Sequence, residues 1–133
     1  MSTPDASAIV AAFAPWHPHH EAALDALHGS HDLVAHAELE AYSVLTRLPA
    51  PFRVDPRLAA EYLELRFTGS RHVLPAKDRR RFARRLAAAG IAGGRVYDAL
   101  IAATAAEREL PLITCDRRAS PVYERVGAVY ELL

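Results

Sequence analysis

The stretch that most constrains this chain is Gly93-Gly94-Arg95-Val96-Tyr97-Asp98, continuing through Ala99–Leu110 to Pro111-Leu112-Ile113-Thr114-Cys115-Asp116. It reads as a glycine turn, a helix and a short apolar strand. One aspartate opens the helix and another directly follows the strand. Leu112-Ile113-Thr114 is too short and too apolar for a solvent-facing strand, which predicts a buried parallel one. An acid just past the carboxyl end of such a strand stands where open α/β sheets build their sites. No phosphate-loop lysine accompanies the glycines, so they read as a tight turn and argue against a small nucleotide-binding domain.

The same alternation recurs along the chain. A very short strand ends at Asp5, and a helical turn with Ile9, Val10 and Phe13 follows; Pro4 keeps that strand from being a long central one. Pro15-Trp16-His17-Pro18 breaks the chain. Pro18 then opens a helix running to about His28, with Ala23, Leu24 and Leu27 at helical spacing. Leu33-Val34-Ala35-His36 is a second short strand leading straight into the helix Ala37–Leu48. That helix offers Leu39, Tyr42, Leu45 and Thr46 as one face, and Pro49 stops it. Asp55-Pro56 supplies a cap and a first helical residue for a helix reaching about Phe67. His72-Val73-Leu74 reads as a third strand. Pro75–Ala89 is a basic helix with Phe82, Leu86 and Ala89 inward and Gly90 as its stop. Val122–Val126 makes a further helical turn, and Ala128–Leu133 a last strand. Short apolar strands alternating with helices predict a three-layer α/β/α domain around a short central parallel sheet. Its 133 residues are read as a single domain, 1–133, large enough to bury a core without disulfide or metal staples.

Charge decides little here, because 16 basic and 16 acidic residues cancel. A cluster of acids in one site is compatible with a basic surface elsewhere, so the balance does not exclude a nucleic-acid partner. The single cysteine, Cys115, cannot form an internal bridge and fits a reducing cytoplasm. The longest apolar runs, Ala8–Phe13 and Ala99–Ala106, are far short of a membrane span. No basic segment precedes an apolar one at the start, so a cytoplasmic location with no membrane association is expected.

Three acids lie at strand-to-helix junctions, Asp5, Glu40 and Asp116, and Asp98 adds a fourth at the N-terminal turn of the helix that leads into the strand before Asp116. In a parallel sheet these junctions share one edge, so the four carboxylates are expected to converge. Close carboxylates cannot all stay ionised without a cation. Oxygen ligands of this kind suit Mg²⁺ or Mn²⁺ in a partly hydrated site. Such a site supports metal-assisted hydrolysis of a phosphodiester, the ion lowering the pKa of a water and stabilising charge on the phosphate. The competing reading is that each acid is an ordinary helix cap or dipole partner.

Four segments resemble the PIN-domain ribonucleases found as VapC toxins in bacterial VapBC toxin–antitoxin pairs. They are Asp5-Ala6-Ser7, Glu40–Pro49, Gly93–Ala102 and Leu112–Asp116, in the family's order and spanning nearly the whole chain. The resemblance implies a Mg²⁺- or Mn²⁺-dependent endoribonuclease neutralised by a small VapB-like antitoxin, with a homodimer as the expected state. It assigns Asp5, Glu40, Asp98 and Asp116 as catalytic metal ligands, and Ser7 and Thr114 as hydroxyls that hydrogen-bond the acids or bound water. The antitoxin is expected in an apolar groove near the early helices. Two departures stand out: only Ser2-Thr3-Pro4 precedes Asp5 where the family has an apolar strand, and Glu38 competes with Glu40. These glutamates lie about 200° apart round a helix, so only one faces the site; Tyr42 two residues on favours Glu40 in the family's pattern. An inactive PIN-like module that binds RNA or protein is the alternative.

Arg117 and Arg118 follow Asp116 and Arg95 precedes Asp98, which sets Arg117 and Arg95 beside the acids as candidate contacts to a scissile phosphate; pairing of the arginines with Glu124 or Asp98 is the competing account. Lys77, Arg79, Arg80, Arg81, Arg84 and Arg85 form a basic stripe, read as a solvated helix face before a phosphate track. His17, His19 and His20 read as solvated helix-entry residues, since no cysteine or second histidine pair supports a metal site. His36 lies one turn before Glu40, either against substrate or simply ending the strand. Trp16 with Phe13 reads as core or as a partner surface. Cys115 sits beside an acid rather than a base, which argues against a nucleophilic thiolate.

Overall fold

A computed structural model describes residues 1–133. The first half of the chain forms β1 (Thr3–Pro4), α1 (Ala6–Phe13), α2 (His20–Ala26), β2 (Leu33–Val34), α3 (Ala35–Thr46) and α4 (Pro56–Arg66). The second half adds β3 (Arg71–His72), α5 (Ala76–Ala88), α6 (Arg95–Glu107), β4 (Leu112–Thr114), α7 (Ser120–Val126) and β5 (Tyr130–Leu132).

Every strand pairing is parallel. β4 lies between β1 and β5, with Thr3 opposite Leu112 and Leu112 opposite Tyr130, while β2 pairs with β3. The ladder does not run on from β1 to β2, and Pro4 supplies the reason. Thr3 N–H donates to Pro111 O and Asp5 N–H to Ile113 O, both towards β4. The intervening residue points the other way, towards β2, and a proline there has no N–H to give. Side chains bridge the gap instead: Thr3 Oγ1 donates to Asp32 O at 3.0 Å, and the Ser2 and Ser30 hydroxyls meet at 3.0 Å.

Successive residues of a strand face opposite sides, and β4 shows the layers this creates. Leu112 joins the larger core with Leu33, Val34, Phe82, Ile101, Val122 and Tyr123. Ile113 joins Ala8, Ala11, Ala12, Ala23 and Leu27 of α1 and α2 on the other side. This is the expected three-layer arrangement, and all three β4 residues are buried. Ile9, Leu33, Ile101 and Leu112 are at most 1% exposed, each burial contributing about 2 kcal/mol.

Several elements differ from the sequence expectation for local reasons. α2 begins at His20, because Pro15 to His19 are used in turns. Leu24 is exposed, and Ala23 and Leu27 carry the packing. On α3 the inward stripe is Ala37, Ala41 and Leu45, spaced by four; Leu39 stands 66% exposed and Tyr42 is half-buried. β3 lies one residue earlier than expected. Asp32 fixes that register by accepting from Ser70 N at 3.0 Å and pairing with His72 Nε2 at 2.8 Å, which leaves Val73 outside. Trp16 packs on Phe52 at 4.7 Å between ring centroids, whereas Phe13 meets the edge of Tyr62.

Other expectations hold. Asp55 caps α4 by accepting from Arg57 N at 2.9 Å, with Pro56 as the first helical residue. α5 buries Phe82 and Leu86 and leaves its six basic residues exposed, with Arg85 Nη2 donating to Val126 O at 2.9 Å. Gly93 takes a positive φ of 64° to turn the chain into α6, a conformation that favours glycine.

Candidate active site

A cavity of about 400 Å³ opens at the carboxyl edge of β1 and β4, and Asp5, Ser7, Glu40, Asp98 and Asp116 all line it. Asp5 reaches it from the end of β1, where its backbone is extended and its side chain caps α1. Oδ1 accepts from Ser7 Oγ at 2.6 Å and from Ala8 N at 3.0 Å, while Oδ2 accepts from the Tyr123 hydroxyl at 2.6 Å. Asp5 is only 3% exposed, so these donors are what make its burial tolerable. Burial still raises its pKa above the usual carboxylate range, against the hydrogen bonds that lower it.

Asp116 stands just past β4, and its carboxylate Oδ1 accepts from Arg118 N at 2.9 Å in a tight local turn. Thr114 holds this loop from below, its Oγ1 accepting from Asp116 N at 3.0 Å. Ser7 ties the two halves together. Besides donating to Asp5, its oxygen accepts from Cys115 N at 2.8 Å and lies 3.3 Å from Thr114 Oγ1. Ser7 therefore touches the Asp5 side chain, and Thr114 both holds the Asp116 backbone and helps Ser7 lower the pKa of the Asp5 carboxyl.

Asp98 comes from the first turn of α6 and Glu40 from the middle of α3. The two candidate glutamates go to different places. Glu38 turns away from the cavity and takes Nε and Nη2 of Arg71 at 2.9 and 2.6 Å. Glu40 lines the cavity, and its Oε1 meets His36 Nε2 at 2.9 Å.

The electrostatics show the crowding. The Asp98 carboxyl is raised to about 6, first by loss of solvent and then by the negative charges of Glu40, Asp116 and Asp5, with Arg95 opposing. Burial and the neighbouring Asp5 push the Cys115 thiol up to about 11, so it stays protonated near neutrality. The Tyr123 hydroxyl is likewise raised, by burial first and then by Asp5, which keeps it a donor.

The fit to a divalent cation follows from these contacts. The donors facing the cavity are carboxylate oxygens, which suit hard ions, and their mutual repulsion is what a cation relieves. No three side chains of the ligand type come together as a direct ligand set. Carboxylate oxygens around a solvent-open cavity fit a hard ion such as Mg²⁺ that keeps part of its water.

Among the other sequence candidates, Arg95 and Arg117 are exposed beside the acids, and Arg117 forms no ion pair. Arg118 faces Asp116 at 4.0 Å from a side chain 92% exposed, a contact of little energetic weight. Glu124 is engaged elsewhere, accepting from the Tyr130 hydroxyl at 2.6 Å. His17 lines the cavity, contrary to its reading as a solvated helix-entry residue. Its Nδ1 accepts from His19 N at 3.0 Å, a fold-back that the proline turn around it creates. Tyr123 also lines the cavity and bonds Asp5; its distance in sequence left no local signal for that role.

Comparison with known proteins identifies the family. Residues 3–125 match the PIN domain family model. Ribonuclease VapC40 of Mycobacterium tuberculosis is 43% identical over 133 residues, covering 100% of this chain and 99% of the relative. Ribonuclease VapC27 of Mycobacterium tuberculosis is 43% identical over 117 residues, covering 88% of this chain and 78% of the relative. The chain belongs to the PIN-domain family, within which it resembles the VapC ribonucleases.

Proposed function

We propose that this chain is a divalent-metal-dependent endoribonuclease acting in the cytoplasm as the toxin of a toxin–antitoxin pair. The observation that carries the reading is the convergence of Asp5, Glu40, Asp98 and Asp116, separate in sequence, on one cavity. The names of the two ribonuclease relatives support RNA as the substrate class.

In this reading Asp5, Asp98 and Asp116, with Glu40, hold Mg²⁺ or Mn²⁺. When bound, the ion offsets the crowding of the carboxylates, lowers the pKa of a water and stabilises charge on a phosphodiester. The remaining residues set geometry. Ser7 and Tyr123 fix Asp5, Thr114 fixes the Asp116 loop, and His36 holds Glu40. Arg95 and Arg117 offer exposed guanidinium groups to phosphate oxygens. A VapB-like antitoxin would seat in the apolar groove of about 560 Å³ beside α3, lined by Leu39, Val73, Leu74 and Leu100. A homodimer is part of the same reading and is tested by its mass in solution.

Purified chain should cleave single-stranded RNA when Mg²⁺ or Mn²⁺ is added and stop when the ion is chelated. Asp98→Asn should abolish cleavage and remove most of the metal binding; undiminished cleavage by that variant sinks the proposal. The lack of a preassembled three-ligand cluster is the one observation favouring an inactive RNA- or protein-binding module. Calorimetric titration with Mn²⁺ separates the two, because that module should give no heat that depends on the carboxylates. A short open reading frame upstream, encoding a DNA-binding antitoxin, would support the toxin role.

A further inference from the structure

We propose that the exposed ring of Tyr97 is the platform of a nucleobase subsite, on which an unpaired base of the RNA stacks beside the proposed acid site. The proposal rests on the RNA-cleaving reading and adds to it a structural class of substrate. Tyr97 immediately precedes Asp98 in the first turn of α6, and 52% of it remains in solvent. Its ring lies parallel to that of His36, with centroids 5.3 Å apart and planes 9° from coplanar. The other aromatic pairs in the molecule are tilted by 40° or more.

His36 is itself held by Glu40 at 2.9 Å. The sequence of contacts therefore runs from a site carboxylate to an imidazole to an exposed phenol ring, each fixed by the one before. A ring left half in water adds little to the core, so its fixed plane calls for an occupant. A nucleobase laid on the outer face of Tyr97 would extend the existing stack as a third ring. Because the platform is already ordered by folding, the base is the only partner that loses freedom. Stacking tolerates any base, since each has a π face, but a base paired in a duplex cannot leave its own stack to reach the ring. The subsite thus selects single-stranded segments and loops. Arg95, two residues before Tyr97 and exposed, is placed for the phosphate next to that base.

The test uses the full chain and a short cleavable single-stranded oligoribonucleotide. Tyr97→Ala should raise KM about tenfold with kcat little changed, and Tyr97→Phe, which keeps the face, should restore KM. Tyr97→Leu, which fills the volume without a ring, should behave as the alanine variant and guards against a folding defect. An abasic nucleotide walked along the oligonucleotide should raise KM at one position for the parent chain and leave Tyr97→Ala unaffected there. Equal KM values for parent and Tyr97→Ala would overturn the subsite. So would a fall in kcat at constant KM, the sign that Tyr97 acts only through His36 and Glu40. If the parent cleaves no RNA, the ribonuclease reading fails separately. Fluorescence anisotropy with a labelled oligonucleotide then decides the platform: about tenfold weaker binding by Tyr97→Ala keeps it, and equal binding overturns it.

Discussion

Replacing Asp98 by asparagine should stabilise the metal-free protein and remove most of its response to divalent ions. The carboxyl is raised from 3.8 to about 6, by desolvation first and then by Glu40, Asp116 and Asp5. A shift of that size corresponds to about 3 kcal/mol against the ionised form. The side chain is only half-buried, and solvent screening reduces this to about 1 kcal/mol. Between the ordinary carboxylate value and about 6, the folded chain binds more protons at this position than the unfolded chain does. Stability of the parent protein therefore falls as pH rises through that window and levels off above it. Asparagine carries no proton to lose, so the variant lacks that slope. Near neutrality the variant should melt about 2–5 °C higher in a chelating buffer, and at about pH 4 the two melts should coincide. Adding Mn²⁺ should then reverse the order. An ion at about a hundred times its Kd gives the parent about 2.7 kcal/mol, and the variant should gain much less. Thermal melts followed by circular dichroism, at both pH values with and without Mn²⁺, measure all four quantities. A variant no more stable than the parent in chelator near neutrality would refute the crowding argument. An equal gain from Mn²⁺ would refute the role of Asp98 in holding the ion.

The two glutamates of α3 should separate cleanly. Glu38→Gln weakens the contact to Arg71 and should cost about 1 kcal/mol in urea unfolding with RNA cleavage intact, whereas Glu40→Gln should lower cleavage about a hundredfold. Tyr123→Phe removes the donor to Asp5 Oδ2 in a buried setting, and urea unfolding should show a loss of about 1–3 kcal/mol. The Asp32 carboxyl is held below its usual range, chiefly by the hydrogen bond to His72. Its contribution is present above the usual carboxylate range and disappears as pH falls through it, so Asp32→Asn should lower stability near neutrality by no more than about 1 kcal/mol and flatten the acid limb of the pH–stability curve.

The acids were legible because each stands where local signals are strong. Asp116 follows a short apolar strand, Asp5 follows the short Thr3–Pro4 strand, and Asp98 follows a glycine turn with a positive φ at Gly93. Tyr42 favoured Glu40 over Glu38, but the reason Glu38 turns away is Arg71, 33 residues after it, which no local spacing announces. Hydrophobicity misled on α3. Leucine at position 39 looked like an inward residue, but the buried stripe is Ala37, Ala41 and Leu45, which turns Leu39 outward. The break between β1 and β2 was foreshadowed by Pro4, though only the direction of the Thr3 and Asp5 amides shows which neighbour loses its bond. His17 and Tyr123 reach the cavity through a turn and a distant helix, neither of which leaves a periodic pattern.

The bond from Tyr123 to Asp5 spans 118 residues, and β1 has no ladder partner until β4 has been made. During synthesis the first acid of the proposed site is thus exported from the ribosome long before the groups that orient it. A nascent chain lacking α7 would carry Asp5 on a strand with nothing to pair against, its carboxylate in water. Completing the carboxylate cluster depends on closing nearly the whole chain into a loop, a contact order that delays assembly. For a chain proposed to cut RNA, that delay has a protective consequence. No cutting geometry exists until the segment carrying Asp116 and Tyr123 has emerged, which keeps a partly made chain from acting on RNA.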